Sequence, residues 1–92
     1  MPKYTVYLFG LQGITEIQEV EVELGDGARL KDVIKVLKRK IPALEGPVIR
    51  PGEDLLVELF KFNINGQFHF NDMEFQLQGG DYIALLTPAT GG

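Results

Sequence analysis

The stretch "EVEVELGDGARLKDVIKVLKRKIP", residues 19–42, decides the fold, because the hydrophobic period changes once inside it. Up to Leu24 the apolar residues alternate with glutamates. Val20, Val22 and Leu24 fall on one face and Glu19, Glu21 and Glu23 on the other, the pattern of a half-buried strand. "GDG" at 25–27 breaks that strand. Leu30, Val33, Ile34, Leu37 and Ile41 then recur at helical spacing, so Arg29 to Lys40 predicts an amphipathic helix with one face on a sheet. Asp32 in its first turn and Lys38, Arg39 and Lys40 in its last complement the helix dipole. The start is weak, since Ala28 and Arg29 stand where a Ser, Thr or Asp cap belongs; Pro42 supplies the stop.

Before this stretch, "KYTVYLF" (3–9) places Tyr4, Val6 and Leu8 on one face and Thr5, Tyr7 and Phe9 on the other. Both faces are largely apolar, which suits a central strand. After it, "PALEGPVIRPGED" (42–54) holds three of the five prolines and reads as a surface loop with at most a short helical turn. "LLVELFKFNI" (55–64) reads as a strand with Leu56, Phe60, Phe62 and Ile64 sharing the inner face. Asn65-Gly66 is a hairpin signal, because both central residues of a type I′ turn take positive φ. "QFHF" (67–70) is then the return strand, and "QGGDYIALL" (78–86) a glycine-rich turn into a last strand at 82–86, apolar enough to lie centrally.

Periodicity alone reaches an α+β class. The order strand, strand, helix, strand, short strand, strand, with the last parallel to the first, is a β-grasp arrangement: a mixed sheet of four to five strands crossed by one main helix. Residues 1–86 make one domain and 87–92 a C-terminal tail. The composition, 45% hydrophobic and 24% charged in 92 residues, is that of one globular domain and not of a disordered chain.

The charge of −4 disfavours nucleic acid as a partner, since phosphate binding needs a basic face. The absence of cysteine removes disulfides, thiolate nucleophiles and cysteine metal sites. No apolar run approaches the roughly 20 residues of a membrane span, and the start lacks a signal-peptide core, so the expectation is cytoplasmic with no membrane partner.

Candidate chemistry is sparse. His69, set between two phenylalanines, reads as an exposed strand histidine. Glu53, Asp54 and Glu58, and Asp72, Glu74 and Asp81, form loose acidic groups without a metal-ligand spacing, so no metal site is assigned. Lys35, Lys38, Arg39 and Lys40 make a basic helix end that is either a solvated face or a docking patch. Tyr7, Phe9, Phe60 and Phe62 are candidates for a partner-docking patch on the second face of the sheet, the alternative being that the core absorbs them. There remains "TPATGG" (87–92), with Gly92 presenting a carboxylate on a stem that has no Cβ at its tip.

Taken together, "NINGQF", "QGGDYIALL", "TPATGG" and the strand-strand-helix start resemble the MoaD/ThiS sulfur-carrier family of ubiquitin-like β-grasp proteins over essentially the whole chain. "LKDVIKVLKRKIPAL" also looks like the family helix and its proline exit, while residues 45–58 look longer than the corresponding family segment. Thr87 stands where molybdopterin-type tails often have a first proline and Pro88 keeps the second. That places the tail nearer to the small subunit of molybdopterin synthase than to the thiamine-pathway carriers.

The resemblance implies a carrier without a catalytic site or bound cofactor of its own. Gly92 would be adenylated, with ATP, by a MoeB/ThiF-type adenylyltransferase and converted to a thiocarboxylate. The sulfur would pass to an accepting enzyme, here the molybdopterin synthase large subunit. Pro88, Ala89, Thr90 and Gly91 would thread the partner channel, and six extended residues reach about 20 Å. The alternatives are a protein modifier joined through Gly92 to lysines, a carrier for thiamine or transfer-RNA thiolation, and a non-covalent interaction module.

Overall fold

A computed structural model describes residues 2–70 and 72–87. It contains strands β1 (Lys3–Leu8) and β2 (Glu19–Glu23), helix α1 (Leu30–Lys40), a 3₁₀ turn (Pro42–Leu44), and strands β3 (Lys61–Ile64), β4 (Gln67–His69) and β5 (Ile83–Leu86). The sheet order is β2-β1-β5-β3-β4. β1 and β5 run parallel and every other pair antiparallel. This is the expected mixed sheet crossed by one helix, with five strands of the four to five expected.

The alternation read in the sequence sets which face is dry. Tyr4, Val6, Leu8, Val22, Phe62, Ile64, Ile83 and Leu85 point to one side of the sheet and are buried against Leu30, Val33, Ile34 and Leu37 of α1. Each such side chain contributes roughly 1.5–3 kcal/mol relative to exposure. α1 and the buried residues of 44–49 lie on the inner face, and among the described residues no helix or strand packs on the opposite face.

The start of α1 resolves the missing cap. The Leu30 and Lys31 amides donate to the carbonyls of Phe75 (3.1 Å) and Met73 (3.0 Å), and the Leu77 amide donates to the Ala28 carbonyl (2.8 Å). A distant backbone segment thus takes up first-turn donors that a Ser or Asp side chain satisfies elsewhere. The Asp32 carboxylate accepts from the Arg29 amide at 2.9 Å. Glu74 fastens the same segment to the helix, accepting from Arg29 at 2.8 Å and Lys31 at 2.9 Å. These cationic donors, Lys31 first and then Arg29, hold the Glu74 carboxyl below its ordinary pKa.

Three expectations are corrected. The strand expected over 55–64 exists only at 61–64, because β5 offers partners to those four residues alone. Upstream, the chain pairs with itself: the Val57 amide donates to Val48 (2.7 Å), Arg50 to Leu55 (2.9 Å), and Phe60 turns back onto Val57 (2.9 Å). The stretch 42–54 is more than a surface loop, since Leu44, Val48 and Ile49 are fully buried. Its turns fold them inward through Val48 and Ile49 amides donating to the Leu44 carbonyl. His69 is not exposed: its side chain is 10% accessible, 4.2 Å from the Phe75 ring with Nδ1 3.4 Å from Asp72.

Candidate functional site: the uncovered sheet face and the root of the tail

Glu19, Tyr7, Ala84, Asn63 and Phe68 are successive cross-strand partners and form one transverse row over all five strands on the uncovered face. Small Ala84 lies between taller neighbours. Tyr7 stacks on Tyr82, with ring centroids 4.8 Å apart and planes at 17°, and lies 6.5 Å from Phe9 at 22°. Phe9 and Tyr82 are each 48% exposed. Three aromatic rings therefore line up beside the strand from which the tail departs.

The sequence-predicted docking residues divide. Tyr7 and Phe9 lie on the uncovered face as expected. Phe62 does not: it is 0% exposed, paired through the backbone with Leu85 and His69 on the inner side, and is the largest fully buried side chain. Phe60 is half-buried against the core. Strand parity explains the difference, because side chains alternate along β3 and the even positions face α1. The same parity would have found Tyr82, which shares its face with Ala84 and Leu86.

Beside Leu86 lies its cross-strand partner Lys61, whose Nζ donates to the Glu58 carbonyl (2.6 Å) and sits 5.4 Å above the Phe70 ring. The Phe9 amide donates to the Leu85 carbonyl at 3.0 Å. Phe9, Lys61 and Phe70 therefore surround the place where the chain leaves β5. Gly92, Gly91, Thr90, Ala89 and Pro88 lie outside the described residues.

The register of β5 is held from its other end. Asn65 has φ +54° and donates from Nδ2 to Asp81 Oδ1 (2.9 Å). Its Oδ1 accepts from the Tyr82 amide (2.8 Å), and its own amide donates to the Tyr82 carbonyl (2.9 Å). Asp81 Oδ2 accepts from the Gln78 amide at 2.8 Å. The Asn-Gly hairpin and the Gly-Asp turn, read separately in the sequence, are one hydrogen-bonded unit. It fixes where β5 starts and hence where the tail begins.

One carboxylate of each acidic group is taken up by basic side chains of the helix. Asp54 lies 3.0 Å from Lys38 and 3.8 Å from Lys35, and Glu74 binds Arg29 and Lys31. Lys38 and Lys40 also donate to the carbonyls of Glu53 and Glu21. The helix end is thus tied largely to its own protein. Among the described residues, no group of His, Asp and Glu could hold a metal ion, and no helix is long and apolar enough to cross a membrane.

The strand order and the single crossing helix define the class of ubiquitin-like β-grasp proteins. Within that class, the chain belongs to the ThiS family, whose model matches residues 6–92. Small archaeal modifier protein 1 from Haloferax volcanii is similar at 25% identity and a TM-score of 0.79, over 98% of this chain and 99% of that one. Small archaeal modifier protein 1 from Methanosarcina acetivorans is 27% identical with a TM-score of 0.76, over 100% and 98%. A putative molybdopterin converting factor subunit 1 from Pyrococcus furiosus is 25% identical with a TM-score of 0.73, over 96% and 99%. A search of curated protein sequences found no match. Proteins of this family serve generally as small carriers, and activating and sulfur-accepting enzymes act on them.

Proposed function

We propose that this chain is a sulfur carrier in which residues 1–86 form the recognised body and 87–92 the reactive tail. The observation that carries this reading is the family match running through Gly91-Gly92, on a body whose strand order delivers the tail from the middle of an open sheet face. A carboxylate is a poor acyl donor, because oxide is a poor leaving group. Attack of the Gly92 carboxylate on the α-phosphorus of ATP releases pyrophosphate and gives an acyl-adenylate; hydrosulfide then attacks the acyl carbon, forming the C–S bond and expelling AMP, and loss of the proton leaves the thiocarboxylate. No side chain of this protein is needed as acid, base or metal ligand. Its own task is to present the tail and to be recognised.

Freezing six tail residues in a channel costs on the order of 1–2 kcal/mol each, and Pro88 lowers that cost by prestiffening the root. Contacts to Tyr7, Phe9 and Tyr82 would offset the remainder. The likeness to the Pyrococcus furiosus protein supports a sulfur transfer in molybdopterin biosynthesis. The likeness to the two archaeal modifier proteins supports a second reading, attachment of Gly92 to lysines of other proteins. Both begin with the same adenylate.

The test is incubation with ATP, a MoeB/ThiF-type adenylyltransferase and a sulfur donor, followed by intact-mass measurement. The expected product is heavier by the difference between one sulfur and one oxygen atom. Transfer of that sulfur to a molybdopterin synthase large subunit supports the first reading. Lysine-linked adducts with no such transfer support the second.

A further inference from the structure

We propose that the recess at the tail end of the β1–β2 hairpin receives an arginine side chain of the enzyme that activates the tail. This rests on the carrier reading and names the chemistry of its first partner. The recess has a volume of about 380 Å³ and is lined by Tyr7, Phe9, Gly10, Gln12, Gln18 and Glu19. Its walls combine two near-parallel aromatic rings, two amides and one carboxylate.

Each wall matches a property of a guanidinium. The Tyr7 and Phe9 centroids are 6.5 Å apart. A planar cation set between them lies within the roughly 6 Å of each ring over which ring faces attract cations. Glu19, directly across the strand from Tyr7, supplies the counter-charge. The side-chain carbonyls of Gln12 and Gln18 add acceptors for a group with five donors and no acceptor. A lysine ammonium would satisfy the carboxylate but not stack on the rings.

No cation of the described residues fills that place. Among the described residues Glu19 makes no ion pair, whereas Glu23, at the far end of the same strand, lies 4.0 Å from Lys3. Lys61 is held over Phe70 and on the Glu58 carbonyl, and Lys40 on the Glu21 carbonyl. The site also lies where a tail-binding enzyme must sit. Phe9, one wall of the recess, donates its amide to Leu85, one residue before β5 ends.

A competing account treats Glu19, Glu21 and Glu23 as charges that keep an edge strand from pairing with other chains. The two differ over Glu19 and Glu23. Wild type, Glu19→Gln and Glu23→Gln are titrated with Nα-acetyl-arginine amide and with its neutral citrulline analogue, following backbone amides by NMR. The arginine probe is expected to shift residues 7–12, 18 and 19 saturably, with the citrulline probe about tenfold weaker or more, since charge-assisted bonds are the strong ones. Glu19→Gln abolishes this preference and Glu23→Gln preserves it. Equal response to both probes, or equal loss in both variants, overturns the proposal.

Adenylation kinetics give the second readout. Glu19→Gln should raise the KM for the carrier about tenfold with kcat unchanged, and Glu23→Gln should not. Wild-type protein that is never adenylated would overturn the carrier reading and leave the probe titration to judge the recess by itself.

Discussion

Replacing Asn65 tests whether the two motifs behind the family match act as one unit. Asn65→Ala removes two side-chain hydrogen bonds, one to the Asp81 carboxylate and one from the Tyr82 amide. It also places an alanine at φ +54°. The bonds are partly solvated, so together they contribute about 1–2 kcal/mol, and an alanine in the left-handed region adds about 1 kcal/mol. The expected loss is therefore about 2–3 kcal/mol, which in a domain of this size lowers Tm by roughly 10–20 °C. Asn65→Gly loses the same bonds without the steric penalty, and should cost about 1–2 kcal/mol.

Urea unfolding of both variants, with the slope checked for constancy, gives these differences directly. Two results would refute the reasoning. If alanine and glycine cost the same, the positive φ is not what selects asparagine; if both cost less than about 0.5 kcal/mol, the shared hydrogen bonds do not hold the β5 register.

Further expectations follow from burial and charge. Phe62→Ala should destabilise by about 3–5 kcal/mol, whereas Phe9→Ala should change stability by under about 1 kcal/mol and instead weaken association with the activating enzyme. Denaturation together with the KM for adenylation separates the two. Glu74 has a lowered pKa in the folded protein. Its stabilising contribution is therefore complete above the ordinary glutamate value and lost as pH falls through the depressed folded value. Glu74→Gln should flatten that acid limb of the stability profile, as read by thermal melts across pH.

The sequence made the body legible where local pattern and tertiary demand agree. Residues 19–42 show both periods undisturbed, and Asn65-Gly66 carries its turn chemistry in two residues. The reading failed where partners lay far away in sequence. The composition of Leu55 to Phe60 is strand-like and predicts a longer β3, yet only a neighbour's length decides how many residues pair, and β5 is four residues long. The helix start looked uncapped because its acceptors are carbonyls of residues 73 and 75, which no local motif announces.

Within the site, Tyr7 and Phe9 were found from alternation along β1. Phe62 stands among the expected docking residues, although its alternation with Ile64 already points inward, where it is buried. Tyr82 is not among the expected docking residues, although the expected strand 82–86 already sets it on the same face as Ala84 and Leu86. The recess beside Glu19 was not legible at all, since it arises from the approach of residues 7–10 to 12–19 around a hairpin.

The central claim, that the working group is a main-chain carboxylate presented by an inert body, is tested most directly by intact mass after incubation with ATP, the adenylyltransferase and a sulfur donor. The account predicts a single substitution of sulfur for oxygen, located by fragmentation to Gly92, and no change in a variant lacking Gly92 whose unfolding curve matches wild type. An unmodified wild-type mass, or sulfur located on any residue of the body, would contradict it.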